Sequence, residues 1–193
     1  LRSLVRVLSQ EVFLISGTVR ENLLLAVRRP VAAEELDRAL EAVNAFGFVS
    51  ALPEGIDTVI GEGGLQLSGG QAKRIHLARA FLDLESEILL FDEPTTGLDT
   101  LSAQTVIESI EKLARAKTLV LWVTHRMQEV FTADNVLFFS ASQNPIFSSH
   151  DDLFRSNALY RALMEEAESS PQGKEKEKLK KPEEEEELAA VLL

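Results

Sequence analysis

Cysteine is absent from the 193 residues, so neither a disulfide framework nor a thiolate metal site is available. That absence fits a reducing compartment. No apolar run approaches the roughly 18 residues a membrane helix needs. No signal peptide is legible, and the sequence opens on Leu1 rather than Met, so it is read as a fragment of a longer chain. Basic residues are scarce: 20 Lys and Arg stand against 31 Asp and Glu, a net charge of −11. No basic stripe able to hold a phosphate backbone exists, which argues against non-specific nucleic-acid binding.

What is present is a globular composition, 45% hydrophobic and 26% charged, in a length that suits one domain with a sizeable core. Acidity gathers at the end, where ten acidic and five basic residues follow from Glu165 onward. The stretch "SSPQGKEKEKLKKPEEEEEL" is charge-blocked and nearly free of core formers, so 166–193 is expected to be a disordered tail.

Upstream the texture alternates. "LVRVLS" (Leu4 to Ser9) suits a buried strand, and Thr18 with Glu21 forms a capping box for a helix through Leu25. Pro30 suits the first turn of a helix, "PVAAEELDRALEAVNAF", that ends near Gly47. A glycine-rich loop, "LPEGIDTVIGEGGLQ", leads to a helix over Gly69 to Asp83. Strands are expected at "EILLFD" (Glu87 to Asp92), "TLVLWVT" (Thr118 to Thr124) and "NVLFFS" (Asn135 to Ser140), with "PIFSS" pairing to the last. A helix over Leu101 to Ala114 and further helices from Asp151 to Glu165 complete the body. Strands alternating with helices predict an α/β domain with a largely parallel sheet. Residues 13–76 hold no strong strand and read as a helical insertion.

The chemistry starts at "ILLFDE". Ligands of open α/β sheets bind beyond the carboxyl ends of strands. There Asp92 is placed to hold Mg²⁺ through water, and Glu93 to orient or deprotonate a water; the bland alternative is a polar strand exit. His125 follows the next strand and has the chemistry to meet a phosphate oxygen or a water, against the alternative of a residue beside a helix cap. Gln10 closes the first strand, where its amide is in reach of a metal or a water. Ser68-Gly69-Gly70-Gln71 is itself a capping box, worth about 1 kcal/mol. Two glycines at a helix start cost helix propensity, and an anion-binding N-terminus with no Cβ in the way accounts for them.

Taken together, these residues resemble the nucleotide-binding domain of ATP-binding cassette (ABC) transporters. "LSGGQ" (Leu67 to Gln71) is similar to the family signature, "ILLFDE" to the Walker B strand, "GLD" (Gly97 to Asp99) to the D-loop, His125 to the switch histidine and Gln10 to the Q-loop glutamine. The resemblance covers residues 1–165. "LPEGIDTVIGEGG", with its loop around Glu62, and the His-Arg pair after the strand are exporter-like. "VLSQEVFLISGTVRENLLLA", "GEGGLQLSGGQ" and "DEPTTGLD" resemble the paired bacterial exporter of thiols needed for cytochrome bd oxidase assembly. Two features depart from the family. No G-x-x-x-x-G-K-[ST] phosphate loop and no adenine-stacking aromatic occurs in these residues, and "SASQNPIFSS" lacks the usual Asp-Gly turn, which implies a looser hairpin.

The resemblance implies a P-loop NTPase (RecA-like) core with the ABC helical subdomain, the N-terminal part with the phosphate loop missing. On this reading 1–12 and 77–165 are the partial core, and 13–76 the helical subdomain with the signature. It implies ATP and Mg²⁺ as cofactors, with Glu93, His125 and Gln10 catalytic, and Asp92 and Gln10 at the metal. Ser68, Gly69, Gly70, Gln71 and Asp99 would face the nucleotide, the signature serving ATP held by a partner domain. The implied partners are a second nucleotide-binding domain and a transmembrane domain at the cytoplasmic face of the membrane, with no nucleic acid. The complete protein is expected to be an ATPase, and these residues alone inactive. The alternatives are a soluble ABC ATPase and a truncated, non-catalytic remnant.

Overall fold

The computed structural model of the chain describes residues 4–25, 27–83, 85–116, 119–140, 143–169 and 189–192. The chain divides into two compact units, Leu1–Val120 and Leu121–Leu193.

In the first unit, strand β1 (Val5–Leu8) pairs in parallel with β4 (Ile88–Asp92), in register from Val5 with Ile88 to Leu8 with Phe91. Both strands therefore end on the same edge, and Gln10 and Glu93 emerge there. In β4, Leu89 and Phe91 are fully buried. At the other end of the pair, the Arg6 guanidinium and the buried Asp83 carboxylate form an ion pair at 2.5 Å. Asp83 also accepts from the Ser86 hydroxyl and from the Glu85 and Ser86 amides. Burial opposes its charge, yet these donors and Arg6 together hold its carboxyl below the usual range.

Between these strands the chain is mostly helical, with one small sheet. Two-residue strands β2 (Gly17–Thr18) and β3 (Val59–Ile60) pair antiparallel. Helix α1 (Val19–Leu24) starts at the Thr18–Glu21 capping box, both of whose bonds are made. Helix α2 (Ala33–Glu41) starts three residues after Pro30 rather than with it. No side chain caps α2 at Ala32. Instead, Glu35 accepts from the Ala32 amide and is clamped by Arg29. The single helix expected to run on to Gly47 ends at Glu41, and Asn44, in the left-handed region at φ 54°, turns the chain into α3 (Phe46–Ser50). Helix α4 (Gly69–Leu82) is the central rod of this unit. Ile75, Leu77, Ala78, Ala80 and Leu82 are buried, and both α1 and α2 lie against it. Helix α5 (Thr100–Ala114) buries Ala103, Val106 and Ile110 along one stripe.

The second unit holds β5 (Leu119–Thr124), whose first two residues belong to the other unit, with β6 (Val136–Ser140) and β7 (Gln143–Ser148). Strands β6 and β7 form the hairpin expected from "PIFSS". Its register slips between Phe138 and Ser140; residues 141 and 142 of the atypical turn lie outside the described residues. Helices α6 (His150–Ser156) and α7 (Ala158–Ser169) close this unit. Tyr160 is fully buried edge-on to Phe138, its hydroxyl 2.8 Å from His150 Nδ1, and burial pushes its phenol up to about 12.

The tail differs from its expectation at both ends. Helix α7 runs on to Ser169, and residues 189–192 form a strand, β8 (Ala189–Leu192), between β5 and β6. Residues 170–188 lie outside the described residues. The strand was not legible because two of its four residues are alanine, which has weak strand preference.

Core packing sets a measurable contrast. Ile75→Ala should cost about 2–5 kcal/mol in urea unfolding. Leu101→Ala, at a side chain 69% exposed, should stay within about 0.5 kcal/mol of the parent.

Candidate functional site

Glu93 is the first residue beyond β4, and it sits in the left-handed region at φ 46°. A non-glycine residue there costs on the order of 1–3 kcal/mol unless its surroundings enforce it. Three neighbours do so. The nearly buried Lys73 of α4 donates its ammonium to the Glu93 carbonyl at 2.6 Å, and the Thr96 amide donates to the same oxygen at 3.3 Å. The Gln10 amide donates to Glu93 Oε2 at 2.9 Å, and the Thr96 hydroxyl donates to it at 3.1 Å. Gln10 and Glu93, 83 residues apart, are thus brought together by the parallel β1–β4 register. Asp92 closes β4, half-buried, one residue before Glu93. Lys73 and Thr96 were missed by sequence reasoning. Thr96 stands three residues after Glu93, a spacing that suits a turn contact, but nothing in the sequence marks Lys73.

The segment after Gln10 is fixed to α4 by buried cationic and amide groups. Arg79 donates to the carbonyls of Phe13 and Asn22 and to the Asn22 side chain. Asn22 in turn binds Ile15 through both its amide and its carbonyl. Ser16 donates to the Glu62 carbonyl at 2.6 Å, and Arg20 forms an ion pair with Asp57. The stretch from Gln10 to Arg20 and the loop at Glu62 are therefore one structural piece. Gly64 is obligatory in that loop, because a Cβ there would lie 2.6 Å from the Val59 carbonyl.

The signature residues form the N-terminus of α4. Ser68 Oγ accepts from the Gln71 amide at 3.3 Å, and Gln71 Oε1 accepts from the Ser68 amide at 2.9 Å. The local geometry is a complete capping box. The glycines have a different standing: a Cβ at Gly69 would meet nothing within 4 Å, and one at Gly70 only the Gly97 carbonyl at 3.5 Å. Neither has a positive φ. Nothing among the described residues requires glycine at either place.

Asp99 caps α5, accepting from the Ser102 amide at 3.0 Å and the Ser102 hydroxyl at 2.7 Å. The Ser102 oxygen also accepts from Arg74 and Asn44, and Arg74 donates to the carbonyls of Gly70 and Asn44. The Arg74 guanidinium lies 4.9 Å over the Phe48 ring. The start of the signature helix and the cap of α5 thereby share one hydrogen-bonded cluster.

His125 belongs to the second unit. It is exposed and follows Thr124 at the carboxyl end of β5. The turn that carries it is fixed by Thr124, whose hydroxyl donates to the buried Glu129 carboxylate at 2.8 Å and accepts from the Arg126 amide at 3.0 Å. Glu129 was not singled out from sequence, since it reads as an ordinary helix-surface glutamate.

Residues 1–96 match the ABC transporter family model. The chain is 37% identical over 163 residues to the ATP-dependent lipid A-core flippase of Alkalilimnicola ehrlichii, covering 84% of this chain and 27% of that protein. It is 39% identical over 166 residues to multidrug resistance protein 1 of Entamoeba histolytica, covering 85% of this chain and 13% of that one. The solved structure of a bacterial Atm1-family ABC exporter with ATP bound superposes with a TM-score of 0.77 at 29% identity, covering 88% of this chain and 29% of that one. The fold is that of an ABC transporter nucleotide-binding domain, a P-loop NTPase. Within that class the chain is similar to domains of the exporter type, and it spans well under a third of the length of these relatives.

The Ser102 contacts hold the Asp99 carboxyl below its ordinary 3.8, the hydroxyl bond contributing most. A depressed folded-state value adds stability that is present above the ordinary carboxylate range and lost as pH falls through the depressed value. Ser102→Ala should move the Asp99 titration, followed by carboxyl NMR, back up toward 3.8 and flatten acid stability there. An unmoved titration would remove Ser102 as the cause.

Proposed function

We propose that this chain is part of the ATP-hydrolysing domain of an ABC exporter, at the cytoplasmic face of a membrane, working with a transmembrane domain and a second nucleotide-binding domain. The observation that carries the reading is the open first turn of α4, where the capping box is complete but nothing among the described residues requires either glycine. Bare amides at the positive end of a 14-residue helix suit a phosphate approaching from outside. As the resemblance of the signature implies, the anion belongs to a nucleotide gripped by a partner domain.

The residues at the β4 edge fit the other half of such a site. Asp92 and Gln10 offer hard oxygens, the one or two protein donors that Mg²⁺ takes when phosphate and water complete its shell. When bound, ATP–Mg²⁺ supplies the transferable phosphoryl group, and the protein's part is positioning and electrostatics. Glu93, held in one backbone geometry by Lys73 and Thr96, presents its carboxylate to orient or deprotonate a water. Gln10, bonded to that carboxylate, aligns it and links it to the Gln10–Arg20 segment. His125 contacts the terminal phosphate, and Asp99 orders the domain interface. Residues 1–12 and 77–165 act as the partial RecA-like core, and 13–76 as the helical subdomain. The joined Gln10–Arg20 and Glu62 segments pass motion to the membrane helices.

For the cargo we propose small thiols, cysteine or glutathione. The support is the wording of three stretches, "VLSQEVFLISGTVRENLLLA", "GEGGLQLSGGQ" and "DEPTTGLD". Inside-out vesicles carrying the full-length protein should accumulate labelled cysteine or glutathione only with ATP; uptake indifferent to ATP overturns the assignment.

Two variants of the full-length protein separate chemistry from folding. Glu93→Gln should slow ATP hydrolysis at least ~100-fold, and near-normal turnover would remove the role of Glu93. Gly69→Ala should leave the melting temperature unchanged or raise it, because alanine favours the helix by up to about 1 kcal/mol. The same change should lower turnover ~10-fold or more by crowding the phosphate. For residues 1–193 alone, calorimetry should show no micromolar ATP binding.

A further inference from the structure

Helix α4 buries three polar side chains, Lys73, His76 and Arg79, within one broad face. Lys73 holds the Glu93 carbonyl and Arg79 the Phe13 carbonyl, which leaves His76 to be accounted for. His76 is 8% exposed, and its Nε2 is buried with no partner among the described residues. Its Nδ1 lies 3.3 Å from Arg79 Nη1, the same nitrogen that donates to the Phe13 carbonyl at 2.7 Å. A guanidinium has donors only and keeps its charge, so Nδ1 is the acceptor in this contact. The proton of the neutral ring therefore sits on Nε2. The contact exists for neutral His76 alone.

Protonation of Nδ1 would set N–H against N–H and place a third cation beside two others. Burial is the strongest influence holding the ring below the ordinary 6.5, and Arg79 and Lys73 of its own helix add to it. The Phe13 carbonyl works the other way, but Arg79 already holds that oxygen. From α1 comes the uncharged Asn22, bonded to Arg79, and β1 brings Arg6, a further cation that acts on Arg79. Neither Arg20 and Glu21 of α1 nor Glu34, Glu35, Asp37, Arg38 and Glu41 of α2 shift the ring. No counter-charge from these elements awaits a protonated His76.

We propose that His76 is a proton-operated latch on the segment after Gln10. Neutral, it accepts from Arg79 and steadies the guanidinium that holds Phe13 and Asn22. Protonated, it competes with Arg79 for the Phe13 carbonyl and releases the segment. An opened segment exposes His76 to water, where it takes up a proton at its ordinary value, whereas the closed segment resists until the depressed one. Closure is thus at full strength above the ordinary value. Below it, closure weakens about tenfold per pH unit until the depressed value is reached. On the function proposed above, release also draws Gln10 away from Glu93; that consequence rests on that reading, and the latch does not.

The test is hydrogen exchange by mass spectrometry on the full-length protein, corrected for intrinsic rates, at about pH 7.5 and about pH 5.5. Opening of residues 13–24 should rise about tenfold in acid, while α5 keeps its protection. His76→Gln, whose amide oxygen accepts from Arg79 but takes up no proton, should hold the segment equally at both values. Equal protection at both values in the parent, or acid opening that survives in His76→Gln, overturns the proposal. Turnover read alongside separates the two ideas: acid opening without a fall in turnover leaves the latch standing and removes the role of Gln10. Should His76→Gln not fold, the parent decides. Opening confined to residues 13–24 supports the latch, and opening shared with α5 overturns it.

Discussion

The bond from the Lys73 ammonium to the Glu93 carbonyl is the constraint on which the β4 edge depends. It joins the buried face of α4 to the one residue of that edge held in left-handed backbone. Without such a clamp, Glu93 would relax toward an ordinary conformation and its carboxylate would swing away from Gln10 and Thr96. Because the clamp comes from the helix that begins with the signature glycines, any tilt of α4 is felt at Glu93. The helix carries on one rod both the signature glycines and the ammonium that fixes Glu93.

A second set of contacts extends the same logic. Arg74, one residue further along α4, ties the carbonyls of Gly70 and Asn44 to the Asp99–Ser102 cap of α5. Arg79, about three turns from the start, holds the chain beyond Gln10. Three cations on one helix thus reach three different motifs. Each is a long side chain that donates to backbone carbonyls and so positions backbone directly. That arrangement gives the three attached motifs one common support.

Much of this was legible in the chain. Capping boxes at Thr18 and Ser68, the apolar runs of β4, β5 and β6, and the helix over Thr100–Ala114 follow from local chemistry, since each is decided by residues within a few positions. The expectations failed where local signals are weak. Pro30 suited a helix start, but α2 waits for Ala33, where Glu35 and Arg29 supply the anchoring. The strand at 189–192 escaped notice because its partners, not its residues, make it a strand.

Sequence by itself singled out the candidate residues: Gln10, the signature, Asp92, Glu93, Asp99 and His125 stand out by type and by order along the chain. Tertiary structure alone decided how they are held. It placed Gln10 against Glu93 through the parallel register of two strands 83 residues apart in those side chains. It also assigned Lys73 to a carbonyl that no spacing rule could name. The physical reason is one of range. Caps, turns and apolar periodicity are written in neighbours, whereas a hydrogen bond between distant residues exists only after the core has fixed the distance between them.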